Sequence, residues 1–211
     1  MRARTPRCAS SSGSRRNSTN FGGSSLPEIR GRAAGLNGPF GAGKTTVSEL
    51  VVDRFPGSML FDPEEVGFML RSVVPPAPSG DFQDLPVWRS LTVDTATRIA
   101  EIYQRPLVVP MTLVRRQYRD EIFGGLRTAG LAVRHFFLTL NEALLRSRIT
   151  DQVLLPDNAE RDAEVRRWRL GQVTRCLAAR ADMPGDTVFL DSGEAGPSAL
   201  ADAVVERVSA D

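Results

Sequence analysis

The chain has 211 residues, of which 41% are apolar and 25% charged, and its formal net charge is +2. These values predict one compact globular domain. The sequence contains no uninterrupted run of about 18 apolar residues, the length needed to cross a membrane. No apolar stretch follows the N-terminal arginines as it would in a signal peptide. Cys8 and Cys176 form neither a disulfide framework nor a metal-ligand pattern, so we expect a reduced, cytoplasmic protein.

The first 28 residues are rich in Ser, Arg, Gly and Asn and contain hardly any aliphatic side chains. Such a segment buries too little apolar surface to offset chain entropy, so we predict a disordered, basic tail at 1–28. The positive charge of this segment is compatible with a nucleic-acid-binding arm. A tag, a targeting remnant or an over-extended start would explain the segment equally well. We expect no nucleic-acid partner, and we assign residues 29–211 to the folded domain.

Short apolar runs alternate with helical patterns along this domain, which predicts βαβ units around a parallel sheet. The predicted strands lie at 32–37, 58–61, 107–114, 131–140 and 187–190. The predicted helices lie at 44–55, 62–73, 84–104, 117–129, 142–149, 159–181 and 198–209. Pro110 cannot donate to a strand ladder, so we expect the third strand's ladder to end early. Asp84 is the predicted cap of the third helix.

The pattern G-x-x-x-x-G-K-S/T lies between the first strand and the first helix. It comprises Gly38, Pro39, Phe40, Gly41, Ala42, Gly43, Lys44 and Thr45. In this context the pattern indicates a P-loop, which binds a nucleoside triphosphate. Its glycines allow successive N–H groups to turn inward, and the helix N-terminus adds partial positive charge. A glycine turn that merely caps a helix is the alternative.

Lys44 is the only lysine among the 27 basic residues. An isolated ammonium among so many guanidinium groups indicates a site that needs a compact charge. We expect ATP and Mg²⁺ as the bound species, with Lys44 reaching the β- and γ-phosphates. Thr45 is then the predicted Mg²⁺ ligand, and Thr46 the predicted donor to the α-phosphate.

The remaining motifs narrow the class of P-loop protein. The sequence contains no N/T-K-x-D guanine motif, and its third strand ends without an acidic residue. These absences and the small size favour a nucleotide- or metabolite-kinase-like domain. We expect an α/β fold that resembles the nucleoside monophosphate kinases, a three-layer sandwich with a five-stranded parallel sheet. The predicted strand order is 2-3-1-4-5, and a helical lid is predicted at about 146–180.

From Asn37 to about Asp191 the chain resembles the tunicamycin-resistance proteins, a small family of bacterial P-loop proteins. The matching pieces are Asn37-Gly38 with the loop, Asp62-Pro63-Glu64, Gly67-Phe68, Leu70-Arg71-Ser72, Val74-Pro75, Asp81-Phe82-Gln83, Pro86, Trp88-Arg89, Val109-Pro110-Met111-Thr112, Trp168, Gln172 and Arg175-Cys176. The resemblance implies ATP binding, a fold similar to nucleoside monophosphate kinases, and resistance to tunicamycin, an antibiotic containing uridine and N-acetylglucosamine. The partner implied is thus a small nucleoside or sugar compound.

The same resemblance implies membrane association through an amphipathic C-terminal segment. Leu200, Val204 and Val208 form such a stripe here. The stripe is short and rich in alanine, so packing on the sheet is the favoured interpretation, while peripheral membrane association stays open.

Asp62 ends the second strand, at the sheet edge where ligands of open α/β folds bind. In the kinases that this fold resembles, an acid at this position takes the proton from the acceptor hydroxyl, so Asp62 is the candidate base. With Pro63 and Glu65, Asp62 also forms a helix cap with a capping box, and both roles stay open.

The segment after Asp62 supplies the other predicted substrate-binding residues. Those residues are Arg71, Phe82, Gln83 and Arg89. Structural ion pairs are the alternative for the two arginines, and Trp88 is interpreted as core.

Arginines crowd the predicted lid, where they could neutralise charge on the transferred phosphoryl group. They are Arg146, Arg148, Arg161, Arg166, Arg167, Arg169 and Arg175. Arg148 and Arg175 are the predicted catalytic members, and a solvated helix face is the alternative for the set. His135 and Cys176 are interpreted as structural, and Thr112 is a candidate to hold a Mg²⁺-bound water.

The sequence therefore predicts an ATP-dependent phosphotransferase that acts on a hydroxyl of tunicamycin or a related compound, with Lys44 and Asp62 central. A nucleotide-dependent protein that sequesters the drug is the main alternative. A nucleic-acid-associated ATPase would rest on the tail alone.

Overall fold

The computed structural model describes residues 31–210, so the predicted tail at 1–28 lies outside the described residues. A five-stranded sheet forms the centre of the domain. Its strands are β1 (Arg32–Asn37), β2 (Met59–Leu60), β3 (Leu107–Met111), β4 (Ala132–Thr139) and β5 (Val188–Asp191). Their order, β2-β3-β1-β4-β5, confirms the predicted one. Every neighbouring pair is parallel, so all carboxyl ends lie at one edge.

Helices cover both faces of the sheet. They are α1 (Lys44–Arg54), α2 (Pro63–Arg71), α3 (Pro86–Tyr103), α4 (Arg116–Thr128), α5 (Glu142–Asp151), α6 (Ala159–Ala178) and α7 (Pro197–Ser209). Leu36 of β1 belongs to the core shared with α1, α5, α6 and α7, whereas Ala33 belongs to the core shared with α2, α3 and α4. Because alternate strand residues point to opposite faces, the two cores confirm the three-layer sandwich.

The apolar stripe of α7 is used for packing. Leu200, Val204 and Val208 are buried in the same core as Val47 and Val51 of α1. Among residues 31–210, no helix has both the length and the apolar character needed to cross a bilayer.

Several predicted boundaries differ from those of the structure by one to three residues, and two of the differences have a clear physical reason. Strand β3 ends at Met111 rather than at residue 114. Pro110, one residue before this end, pairs with Leu36, so the ladder ends early as expected. The predicted cap of the third helix is wrong, because α3 begins at Pro86 without a side-chain cap. Proline suits that first helical position, since its φ is preset and it has no N–H to satisfy.

Asp84 cannot cap α3 because its carboxylate has other partners. It accepts hydrogen bonds from Ser79 Oγ at 2.6 Å, from the Tyr118 hydroxyl at 2.9 Å and from Arg115 at 2.6 Å. The cap in this region is Asp81, which accepts from Gln83 N at 3.0 Å and starts a short 3-10 turn, Phe82–Asp84.

His135 lies buried in β4, where both ring nitrogens have polar neighbours. Its Nδ1 is 2.9 Å from Thr187 Oγ1, and its Nε2 is 3.2 Å from Asn37 Nδ2. Burial, together with the smaller effect of the Arg119 charge, lowers the pKa of His135 to about 4. The folded protein therefore holds this histidine neutral, as expected of a structural residue.

We predict that His135 makes the domain less stable in acid. The unfolded chain protonates histidine near its ordinary pKa of about 6.5, so between that pH and 4 only the unfolded state takes up the proton. The free energy of unfolding should be highest above pH 6.5 and decline as the pH falls towards 4. From pH 7 to pH 5, wild type should lose about 2 kcal/mol more than His135→Gln in urea unfolding.

Since the chain contains one histidine, the difference between these two proteins isolates its contribution. An equal loss in both proteins would show that His135 is not held neutral in the fold.

Candidate active site

The chain leaves the sheet at Gly38 and turns through a glycine-rich loop into α1. Gly38, Gly41 and Gly43 have φ values of 145°, 82° and 94°. A Cβ on Gly38 would lie 2.9 Å from Leu138 O, and one on Gly41 would lie 2.9 Å from Ile149 Cγ1. Both backbone conformation and space therefore require glycine at the first two positions.

Helix α1 begins without a capping side chain. Gly43 occupies its cap position, and its first turn contains no acidic residue. By contrast, Asp62, Asn141 and Asn158 cap α2, α5 and α6. The first N–H groups of a helix have no partner within it, so α1 presents free donors and partial positive charge at this turn. These are the groups that bind a phosphate.

The Lys44 ammonium is held against the loop. Its Nζ donates to Gly38 O at 3.0 Å and to Pro39 O at 2.8 Å, which leaves one of its three N–H groups for a ligand. Burial lowers the pKa of Lys44 to about 8, with Glu64 the foremost of the negative charges that oppose the shift. A desolvated ammonium gains from a nearby anion, so the residues present fit a triphosphate.

Thr45 and Thr46 are exposed in the first turn of α1, beside Lys44. No group of three or more His, Cys, Asp or Glu side chains between residues 31 and 210 is arranged to hold a metal ion. Mg²⁺ is commonly bound by one or two side chains together with substrate phosphates, and the exposed Thr45 hydroxyl fits that arrangement.

Phe40 connects the loop to α6. Its ring lies 5.6 Å from Lys44 Nζ and 5.4 Å from Arg169 Cζ, measured to the ring centroid. Trp168 contacts the same ring edge-on, at 5.1 Å between centroids. The sequence placed Arg169 among the lid arginines without singling it out, and only the folded structure brings it to the loop. Arg169 also donates to Gln152 Oε1 at 3.1 Å.

Two carboxylates lie at the start of α2. Asp62 Oδ1 accepts from Glu64 N at 2.9 Å, which confirms the predicted cap, although the bond goes to Glu64 rather than to Glu65. Glu64 is half-buried, and burial followed by the charge of Asp62 raises its pKa, against Lys44 and Arg169. Glu64 therefore belongs to the charged group around the loop. Sequence reasoning missed it, although it stands in the matching piece Asp62-Pro63-Glu64.

Aromatic rings cover the segment predicted to bind the acceptor. The Phe82 ring packs directly on Gly67, where a Cβ would lie 2.7 Å from the ring. The exposed Arg71 guanidinium lies 5.2 Å from the Phe68 ring centroid and 5.4 Å from that of Phe82. A cation above aromatic faces can contact a ligand while remaining attached to the protein.

Gln83 and Arg89 hold this segment in place. Gln83 Nε2 donates to Thr112 O at 2.8 Å, and Arg89 donates to Gln83 O at 2.6 Å while pairing with Glu121. The ion-pair alternative is therefore the one observed for Arg89. Trp88 is buried and its indole N–H donates to Pro63 O at 2.9 Å, so it is core.

The lid arginines separate into groups. Arg175 lies 3.8 Å from Asp81 and links α6 to the acceptor segment, whereas Arg148 donates to Ser192 O at 2.9 Å and holds the loop after β5. Side-chain pairing within one helix is observed for Arg146, Arg161 and Arg166. That pairing matches the solvated-face alternative for Arg146 and Arg161, whereas the half-buried Arg166 pairs with the buried Asp162 and donates to Gln152 O at 3.0 Å.

Two further predicted residues are buried beside the site. Cys176 packs with Val114 and Ala179, as a structural residue would. Thr112 Oγ1 is buried and has no hydrogen-bond partner within the described part of the chain. It stays a candidate for a polar contact.

The family model described as an AAA domain matches residues 35–190. The chain belongs to this family. A comparison with curated protein sequences gave no match.

Solved structures share the fold across most of the AAA domain and beyond it. The tunicamycin resistance protein of Deinococcus radiodurans has 25% identity and a TM-score of 0.61, over 84% of this chain and 96% of that one. A sugar kinase from a Janibacter species (18%, TM-score 0.60) covers 85% of this chain and 95% of its own. A gluconokinase from Sinorhizobium meliloti (18%, TM-score 0.55) covers 86% and 95%. The resemblance to the tunicamycin-resistance family and the kinase-like fold are confirmed.

We predict that Gly41→Ala impairs ATP binding. The new methyl group must displace Ile149, and the alanine backbone must adopt a left-handed conformation that costs about 1–2 kcal/mol. The loop amides should therefore shift. Calorimetry with ATP and Mg²⁺ should show affinity at least about tenfold weaker. Gly124→Ala is the matched control, because a Cβ there meets no heavy atom within 4 Å.

Circular dichroism checks that both variants are folded. A folded Gly41→Ala protein that binds ATP as wild type does would contradict the assigned role of the loop.

Proposed function

We propose that the protein transfers the γ-phosphoryl group of ATP to a hydroxyl group of tunicamycin or of a similar nucleoside or sugar compound. The observation that carries this proposal is the half-buried Lys44 side chain at the uncapped start of α1, with Asp62 and Glu64 close enough to influence the pKa of its ammonium. The kinase-like fold supports it, and the similar structures, a tunicamycin resistance protein, a sugar kinase and a gluconokinase, suggest the class of acceptor.

In the proposed reaction the loop binds the phosphates of ATP. The N–H groups at the start of α1 and the third N–H of Lys44 bind the phosphate oxygens, and Thr46 contacts the α-phosphate. Arg169, held above Phe40 on the same ring as Lys44, adds positive charge as the phosphoryl group moves. Mg²⁺, with Thr45 as its protein ligand, would neutralise further charge on the phosphates.

The acceptor end belongs to α2. Asp62 takes the proton of the acceptor hydroxyl as that oxygen bonds to the γ-phosphorus and the bond from γ-phosphorus to the ADP oxygen breaks. One Asp62 oxygen is fixed by the Glu64 N–H, so the carboxylate is oriented before the acceptor arrives. The second oxygen is the one that accepts the proton.

Acceptor binding would use the exposed parts of the following segment. The exposed Arg71 and the half-buried Phe82 would contact a sugar or a uracil ring, whereas Gln83 and Arg89 keep the segment in position. Arg148 and Arg175 stay predicted catalytic residues. To reach the phosphoryl group Arg175 must leave Asp81, which closure of α6 over the nucleotide would accomplish.

Product analysis tests this proposal. Tunicamycin incubated with wild-type protein, ATP and Mg²⁺ should gain the mass of one phosphoryl group while ADP forms. Lys44→Ala and Asp62→Asn should each lower the rate about 100-fold or more, because they remove phosphate stabilisation and the base. Asp53→Asn, at an exposed position on α1, is the matched control and should retain the wild-type rate.

The other outcomes are equally informative. Drug that stays unmodified but binds more tightly to ATP-loaded protein would replace the proposal with sequestration. If Glu64→Gln abolished transfer while Asp62→Asn preserved it, the base would be Glu64.

A further inference from the structure

The Asn37 side chain completes the sheet where β1 turns into the loop. The last register pair of β1 and β3 joins Asn37 with Met111, and at Gly38 the backbone of β1 departs. Two residues beyond β3, Leu113 still has both backbone groups bonded: Asn37 Nδ2 donates to Leu113 O at 2.8 Å, and Asn37 Oδ1 accepts from Leu113 N at 2.8 Å. The amide thus replaces the strand that has left.

The same oxygen holds the beginning of the loop. Asn37 Oδ1 also accepts from Gly38 N at 2.7 Å. One atom therefore fixes the exit of the loop from β1 and the segment that follows β3. All of these groups are buried, so no water can substitute for them at low cost.

The partners of the amide fix its orientation. A reversed amide would place an NH₂ group against the N–H groups of Gly38 and Leu113, which cannot accept. The nitrogen must therefore face His135, and its second hydrogen points to His135 Nε2 at 3.2 Å. It follows that Nε2 carries no proton and that Nδ1–H donates to Thr187 Oγ1.

Gly35 makes room for this contact. It is the register partner of His135 across β1 and β4, two residues before Asn37. Without a side chain at Gly35, the space beside β1 is occupied by Phe123, whose ring lies 4.8 Å from that of His135. A continuous hydrogen-bonded series consequently crosses the sheet from Thr187 to Leu113.

We propose that Asn37 is a positioning residue of the phosphate loop, with His135 holding its amide in place. Asn37 does not touch the nucleotide; it sets the position of Gly38 and thereby of the amide donors that follow. The inference rests on the proposed function, because its consequence is preorganised ATP binding.

The test compares buried substitutions in the full chain. His135→Leu removes the acceptor of Asn37 Nδ2, His135→Gln restores an acceptor, and Thr92→Val is a buried polar-to-apolar control on α3. In calorimetry on the folded fraction, ATP with Mg²⁺ should bind about tenfold more weakly to His135→Leu, and within about threefold of wild type to His135→Gln. Thr92→Val should bind as wild type does.

Amide exchange followed by NMR provides a readout that needs no nucleotide. The Gly38 N–H should exchange at least about tenfold faster in His135→Leu than in wild type. If His135→Leu does not fold, Thr187→Val, which removes the acceptor of Nδ1–H, should show the same changes in the same direction. A stabilising role without positioning would lower the melting temperature and leave both ATP affinity and Gly38 exchange unchanged.

The outcomes separate the two claims. Wild-type protein that binds no ATP would overturn the proposed function and this inference with it. Wild-type protein that binds ATP, beside a His135→Leu variant with equal affinity or equal Gly38 exchange, would overturn only the inference.

Discussion

The turn from Gly38 to Lys44 is the feature on which the site depends. It ends in a helix with no capping side chain and encloses an ammonium whose pKa burial lowers to about 8. Both features cost stability unless an anion is nearby, because unpaired helix donors and a desolvated cation each lose interactions with water. The domain therefore holds uncompensated positive charge and unpaired N–H donors at this turn. A triphosphate supplies what the turn lacks, since it is compact, strongly anionic and rich in acceptor oxygens.

Several elements hold the phosphate loop in a fixed geometry. Leu138 of β4 lies against Gly38, and Ile149 of α5 lies against Gly41. Phe40 receives Trp168 from α6, and Asn37 fixes the exit from β1. Contacts from separate elements make the loop rigid, and rigidity matters because preorganised donors need no rearrangement when charge develops. The tight glycine positions are thus a consequence of how closely the sheet and α5 approach the loop.

Local sequence signals predicted the fold better than they predicted the site. Buried apolar strands and Pro110 act over a few residues, so the number of strands and the early end of β3 could be anticipated, whereas the strand order followed from the resemblance to P-loop kinases. Asp84 could not be assigned correctly, because its competitors Arg115 and Tyr118 come from another element. Glu64 and Arg169 escaped for the same reason: their importance lies in proximity to Lys44 and Phe40, and no spacing rule encodes that proximity.

The two carboxylates at the start of α2, Asp62 and Glu64, differ in their surroundings. Asp62 accepts a hydrogen bond from the Glu64 N–H at the N-terminus of α2, so one of its carboxylate oxygens is held in place. Burial together with the charge of Asp62 raises the pKa of Glu64, against the charges of Lys44 and Arg169. A triphosphate arriving at Lys44 brings more negative charge towards Glu64 and favours its protonated form further. In the proposed reaction the oriented Asp62 is therefore assigned as the base, whereas a Glu64 whose pKa is raised repels the phosphates less than an ordinary carboxylate would.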